Sequence, residues 1–173
     1  QADGRLPEDS PASRADGISI FGGAAGETLP GVLARHFKQF NPGDYISLLA
    51  FTARTPGSDR ELAAMRSILR EAFKAAATAN YGPRYLHSTG QLHKGGRNNG
   101  VFLLVTVADS EELAIPDSPF GFSTLKQAQA LGDLGALKGR NRRVLRIHLK
   151  DPVKGMKALR QSVEQAVKTL VHA

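Results

Sequence analysis

The chain has 173 residues and a formal net charge of +7, with no cysteine, no tryptophan and 6% aromatic residues. Without cysteine it has no disulfide framework and no thiol chemistry, and no apolar run approaches the ~20 residues of a membrane-spanning helix. The basic balance invites a nucleic-acid partner. Yet Lys and Arg are spread widely, only Lys138–Arg146 is dense, and aromatic side chains for base stacking are scarce. Nucleic acid is therefore disfavoured, and anionic phosphosugars or an acidic neighbouring domain account for the charge at least as well.

Residues 1–16, rich in Pro, Ser, Asp, Arg and Ala without periodicity, read as a linker. No signal peptide is visible there, so the expected compartment is the cytoplasm. That linker and a start at Gln1 give the expectation of a segment attached to something upstream, with 17–173 as one domain. Gly17–Phe21 reads as a short strand, followed by a Gly-rich turn. Leu29–Phe40 suits a helix with Pro30 near its first turn, and Asp44–Thr52 a buried strand. Ser58 and Glu61 have capping-box spacing, opening a helix to about Asn80 with Leu62, Met65, Leu69, Phe73 and Ala76 on its inner stripe. Arg84–Thr89 and Val101–Ala108 read as strands joined by a polar, Gly-rich loop, Gly90–Gly100. Ser123 can cap a helix to about Leu131, and Asp133 a shorter turn to Leu137. Arg143–Leu149 is a strand, and Asp151-Pro152 opens the last helix.

This order predicts an α/β two-layer sandwich. Its core is a ferredoxin-like β-α-β-β-α-β unit, with an extra N-terminal strand and helix and a C-terminal helix. A doubly wound parallel sheet is the alternative, disfavoured because the step from Arg84–Thr89 to Val101–Ala108 carries no crossover helix.

The segment Tyr81–Gly96, YGPRYLHSTGQLHKGG, concentrates polar donors and glycines between two apolar runs. On a strand, His87 and Thr89 point the same way and Ser88 the other. Gly90, Gly95 and Gly96 let amides approach an anion, while Arg84, Gln91, Lys94 and Arg97 add donors and charge. His87 or His93 has the acid–base range for chemistry near neutral pH. Lys126 and Gln129 share a helical face with Asp133 and are placed to reach the same anion, opposite Leu125, Ala128 and Leu131. The expected ligand-binding set is thus Arg84, His87, Ser88, Thr89, Gln91, His93, Lys94, Gly95, Gly96, Lys126 and Gln129. The competing reading is a hairpin with a solvated basic tip and a solvated polar helix face. No phosphate-loop or dinucleotide motif is present, Gly22–Gly26 lacking the required spacing. The histidines (His36, His87, His93, His148, His172) lack usual metal-ligand spacing, so neither metal nor cofactor is expected.

Four blocks carry a resemblance: Pro42–Phe51 (PGDYISLLAF), Tyr81–Phe102 (YGPRYLHSTGQLHKGGRNNGVF), Phe120–Asp133 (FGFSTLKQAQALGD) and Arg142–His148 (RRVLRIH). In order and spacing, over roughly residues 17–170, they resemble the last part of bacterial fusions of transaldolase with glucose-6-phosphate isomerase. The resemblance implies a C-terminal accessory domain in sugar-phosphate metabolism, with transaldolase and isomerase domains as upstream partners. The isomerase family's Ser-Thr-Gly-Lys loop and catalytic Glu are not found here. Nor is the transaldolase barrel with its Schiff-base Lys, since a (β/α)₈ barrel takes ~250 residues. No catalytic residue is therefore assigned. The domain is expected to bind a phosphosugar or to pack against the isomerase domain, with a purely structural or oligomerising role as the alternative.

Overall fold

The structure, a computed structural model, describes residues 10–24 and 26–171; most of the expected linker, Ala25 and His172 lie outside them. Its strands are β1 (Ser13–Ala15), β2 (Ile18–Phe21), β3 (Tyr45–Phe51), β4 (Ala77–Tyr81), β5 (Gly100–Val107) and β6 (Arg143–Leu149). Its helices are α1 (Leu29–Phe37), α2 (Pro56–Phe73), α3 (Thr89–Gly95), α4 (Phe122–Lys138) and α5 (Pro152–Val171), with a 3-10 turn at Arg84–His87. One six-stranded sheet runs β1-β2-β6-β5-β3-β4.

The α/β class holds, but the sheet is not the antiparallel plait. β4, β3, β5 and β6 are parallel neighbours, and only β1 and β2 run antiparallel at one edge. The doubly wound alternative describes this core. The chain leaving β4 passes β3 to reach β5, and the 3-10 turn and α3 make that crossover. β3 (YISLLAF) and β5 (GVFLLVTV) explain the arrangement. Each is almost wholly buried and apolar on both faces, as parallel strands covered on both sides are.

On one face Ile46, Leu48, Val101, Leu103 and Val105 meet α1, α2 and α5 through Leu33, Phe37, Leu62, Met65, Leu69, Leu159 and Val163. On the other, Leu49, Phe51, Phe102 and Leu104 meet Tyr85 and α4 through Ala130, Leu134 and Leu137. Helices thus cover both faces of the sheet.

Several boundaries move for local reasons. α2 starts two residues before Ser58, because Thr55 is its N-cap. Thr55 Oγ1 accepts from Ser58 N at 3.1 Å, and Thr55 N donates to Ser58 Oγ at 2.8 Å. The helix stops at Lys74 in the left-handed conformation (φ 49°), so the expected helical residues 77–80 form β4 instead. α4 runs unbroken through Asp133. The expected linker boundary shifts too, since Ser13–Ala15 pairs with β2.

His36 of α1 is buried against the sheet, sharing a hydrogen bond between Nε2 and the Phe102 carbonyl at 2.9 Å. Burial pushes its pKa down to about 4, with Arg143 and Arg35 nearby adding to the effect. The unfolded imidazole takes up a proton near pH 6.5, and the folded one does not until about 4. Stability is therefore held above that range and lost as pH falls through it. Urea unfolding from pH 7.5 to 4.5 should cost the wild type about 2 kcal/mol more than His36→Gln. Parallel pH profiles for the two proteins would contradict this account.

Candidate functional site

The expected ligand residues separate into three groups. Arg84–Thr89 is not a strand, and Gly90–Gly100 is not a hairpin loop. After the cis Gly82-Pro83 bond, the 3-10 turn and α3 fold onto the second face of the sheet. Their glycines serve packing more than ligand approach. A Cβ on Gly82 would stand 2.6 Å from the Phe51 ring, and one on Gly96 2.6 Å from the Leu92 carbonyl oxygen.

His93, Lys94 and Gly96 belong to the interior of this plug. His93 is buried between Tyr45, Tyr85 and Phe102, with Nδ1 2.9 Å from the Tyr45 hydroxyl. Burial holds its pKa below the usual imidazole value, Lys94 adding to the shift and Asp133 opposing it. Lys94 Nζ reaches Asp133 Oδ1 at 2.7 Å, and the Tyr85 hydroxyl donates to Asp133 Oδ2 at 2.5 Å. Burial and the Asp133 carboxylate drive the Tyr85 hydroxyl pKa upward. Arg142 donates to the Lys94 and Gly96 carbonyls at 2.8 and 2.6 Å, closing the carboxyl end of α3. These residues hold each other, and an anion would have to displace Asp133 to reach Lys94.

Arg84, His87, Ser88, Thr89, Gln91 and Gly95 are exposed. Arg84 and Ser88 border a groove along β4. Lys126 and Gln129 do not join them. The helix face expected to be solvated turns toward the sheet: Asp133 is buried, Lys126 is largely covered, and Ala128 is exposed. Lys126 forms an ion pair with Asp109 beyond the end of β5.

That pair marks a second location. β3 and β5 are adjacent and parallel, but β3 leads to α2 on one face and β5 to α4 on the other. The chain diverges at their carboxyl ends, where open parallel sheets form ligand crevices. The crevice here is lined by Thr52, Ala53, Asp109, Ser110, Ser123 and Lys126, with a volume of roughly 430 Å³. A neighbouring hollow of roughly 430 Å³ continues it to Lys150 and Asp151. The helix ends facing this region carry their own acceptors. Glu112 accepts from Ser123 N at 3.0 Å, and Asp151 from Val153 N and Lys154 N at 2.9 Å each. What remains for a ligand is the hydroxyls of Thr52 and Ser110 and the exposed Lys150 ammonium; Lys126 is held by Asp109, and Glu111 and Asp151 also line the region. His148 lies close by, bonded through Nδ1 to Thr106 Oγ1 at 2.9 Å. Burial holds its pKa down, and Arg146 and Lys126 add to that.

Thr52, Ser110 and Lys150 were not singled out by the sequence pattern. The unbroken apolar runs ending at Phe51 and Val107 carry the relevant signal, because such runs belong to parallel strands whose carboxyl ends hold ligands.

No family model matches the chain, and no curated protein does. Among solved structures it is similar to a hypothetical protein of Thermus thermophilus, with a TM-score of 0.70 and 19% identity. The match covers 82% of this chain but only 39% of the other, so the chain corresponds to less than half of that protein. At this identity the likeness establishes the fold alone. No helix among the described residues is long and apolar enough to cross a membrane.

Asp133→Ala should destabilise the domain by about 3 kcal/mol, because it leaves Lys94 and the Tyr85 hydroxyl without their buried acceptor. Denaturant unfolding of Asp133→Ala beside His87→Ala, an exposed change expected to cost under about 0.5 kcal/mol, checks this. Equal losses would mean that the Asp133 cluster does not hold the plug.

Proposed function

We propose that this chain is the C-terminal domain of a cytoplasmic bifunctional transaldolase/glucose-6-phosphate isomerase of sugar-phosphate metabolism. It binds a phosphorylated sugar at the carboxyl ends of β3 and β5 and is not catalytic alone. The observation that carries the binding reading is the crevice at the point where the β3 and β5 connections diverge, bounded by Lys126 and Lys150 and offering the Thr52 and Ser110 hydroxyls. A phosphoryl group matches the Lys150 ammonium beside the Thr52 and Ser110 hydroxyls, and it reaches Lys126 by taking the place of Asp109, whose carboxylate then accepts from the sugar hydroxyls. The net charge of +7 favours an anionic ligand. The enzyme assignment rests on the four resembling blocks.

The structural reading has its own support. Tyr81–Phe102, the longest resembling block, packs under the sheet through Tyr85 and His93, the latter against Phe102 of β5, so much of its composition answers to the fold.

A backbone amide NMR titration with fructose 6-phosphate, with sulfate as control, separates the two. The expected result is saturable shifts at Thr52–Thr55, Asp109–Glu111, Lys126 and Lys150, stronger for the sugar, with about tenfold weaker affinity in Lys126→Ala. No shifts, or equal shifts with both anions, would leave assembly as the domain's role.

A further inference from the structure

β4 ends the sheet, and among the described residues no strand lies beside its outer edge. Ile46 N donates to Ala76 O at 3.0 Å, and Gly82 N donates to Ala50 O at 2.9 Å. In a parallel ladder this phase assigns the even-numbered residues of β4 to β3 and turns the amides and carbonyls of Ala77, Ala79 and Tyr81 outward. They face an open groove of roughly 760 Å³. On the α2 side the groove is walled by Leu62, Ala63 and Arg66, and on the other by Arg84 and Ser88, with Arg54 and Asp59 at one end. Thr78 and Asn80 donate to Ser47 Oγ at 2.9 and 3.2 Å, so part of its floor is satisfied and fixed. Arg54 is tied to Asp59 at 3.3 Å, but Arg66 and Arg84 are exposed and have no acidic partner among the described residues.

We propose that β4 accepts an extended acidic segment of a partner protein as a seventh strand. Its backbone pairs with Ala77, Ala79 and Tyr81, and its carboxylates meet Arg66 on one side and Arg84 on the other. Strand addition of this kind draws affinity from the main chain and selectivity from flanking side chains. The arginines also oppose the obvious competitor. A second copy of this chain pairing β4 to β4 would bring two cationic grooves together, and charged flanks discourage that contact. The proposal does not depend on the phosphosugar reading, because the groove and the crevice have different ligands and different residues.

The test adds the acetylated, amidated octapeptide Val-Glu-Val-Glu-Glu-Val-Glu-Val to the isotope-labelled 173-residue chain and follows every amide by NMR. Saturable shifts and slowed hydrogen exchange at Ala77, Ala79 and Tyr81 are expected. Affinity should fall about tenfold or more in the Arg66→Glu, Arg84→Glu double variant. Ala79→Pro removes only an outward-facing donor, a change tolerated on edge strands, and should abolish binding while leaving remote amides unmoved. If that variant does not fold, the double variant decides. Equal binding of the peptide with Lys in place of Glu would overturn the proposal, as would no shift at ~1 mM peptide. A dimer of the peptide-free chain, with those same amides already protected, would assign the edge to self-pairing instead.

Discussion

The whole arrangement depends on β3 and β5 being apolar on both faces. Leu48 and Leu103 point to one side of the sheet, Leu49, Phe51, Phe102 and Leu104 to the other, and all are essentially inaccessible. Each such side chain is worth roughly 1.5–3 kcal/mol when fully buried, so neither face tolerates exposure to water. α1, α2 and α5 supply one cover. On the other side α4 cannot cover β3, β5 and the path from β4 by itself. The segment 82–96 completes the cover, which is why it crosses from the sheet edge onto this face.

That demand explains the unusual composition of the segment. Tyr85 and His93 are the bulk that fills the second layer, and their polar atoms need partners there. Tyr45 partners His93, and Asp133 partners Tyr85 and Lys94. A buried cluster of this kind adds modest net stability relative to apolar packing, but it penalises misplacement heavily. It fixes α3 against α4 in one position. Arg142 does the same from β6's leading end by gripping the Lys94 carbonyl of α3 and the Gly96 carbonyl just beyond it. Features that look like ligand chemistry in one dimension are here the fastening of a short helix with little apolar surface of its own.

The sequence was legible where periodicity and length agree. β5, β6 and α1 sit close to their expected bounds, α5 opens where expected, and the inner face of α2 is the one the apolar spacing indicates. It was illegible where local signals were weak or shared. β4 is Ala-Thr-Ala-Asn-Tyr, mostly poor strand formers, directly after a helix whose stop is a lysine in a left-handed conformation and not a glycine. Nothing in the local code separates the last turn of α2 from the strand that follows. Missing β4 had a large consequence, since it turned a crossover into an apparent hairpin and a parallel sheet into an antiparallel one. The α4 face failed for a different reason. Lys126 and Asp133 look solvated by residue type, yet each is covered because a partner from another element neutralises it. Residues 109 and 94 lie far from them in sequence, so no window along the chain contains the pair.

The topology then separates two kinds of recognition surface by its own logic. A parallel sheet gathers its connecting loops at the carboxyl ends of the strands. There the divergence at β3 and β5 opens a crevice of small-molecule size beside Lys126 and Lys150. An open sheet also has edges. The β1 edge is a strand of three residues, short enough to offer little to another chain. The β4 edge is five residues long and lies in a cationic groove. At the crevice Lys126 and Lys150 stand among Asp109, Glu111 and Asp151, so the proposed phosphosugar meets separate cationic and acidic groups around the Thr52 and Ser110 hydroxyls. At the edge the proposed selection among extended chains falls to the arginines, because the backbone supplies affinity for any strand. The two proposed surfaces therefore differ in kind, set by whether the neighbouring polar groups converge on a point or run along a line.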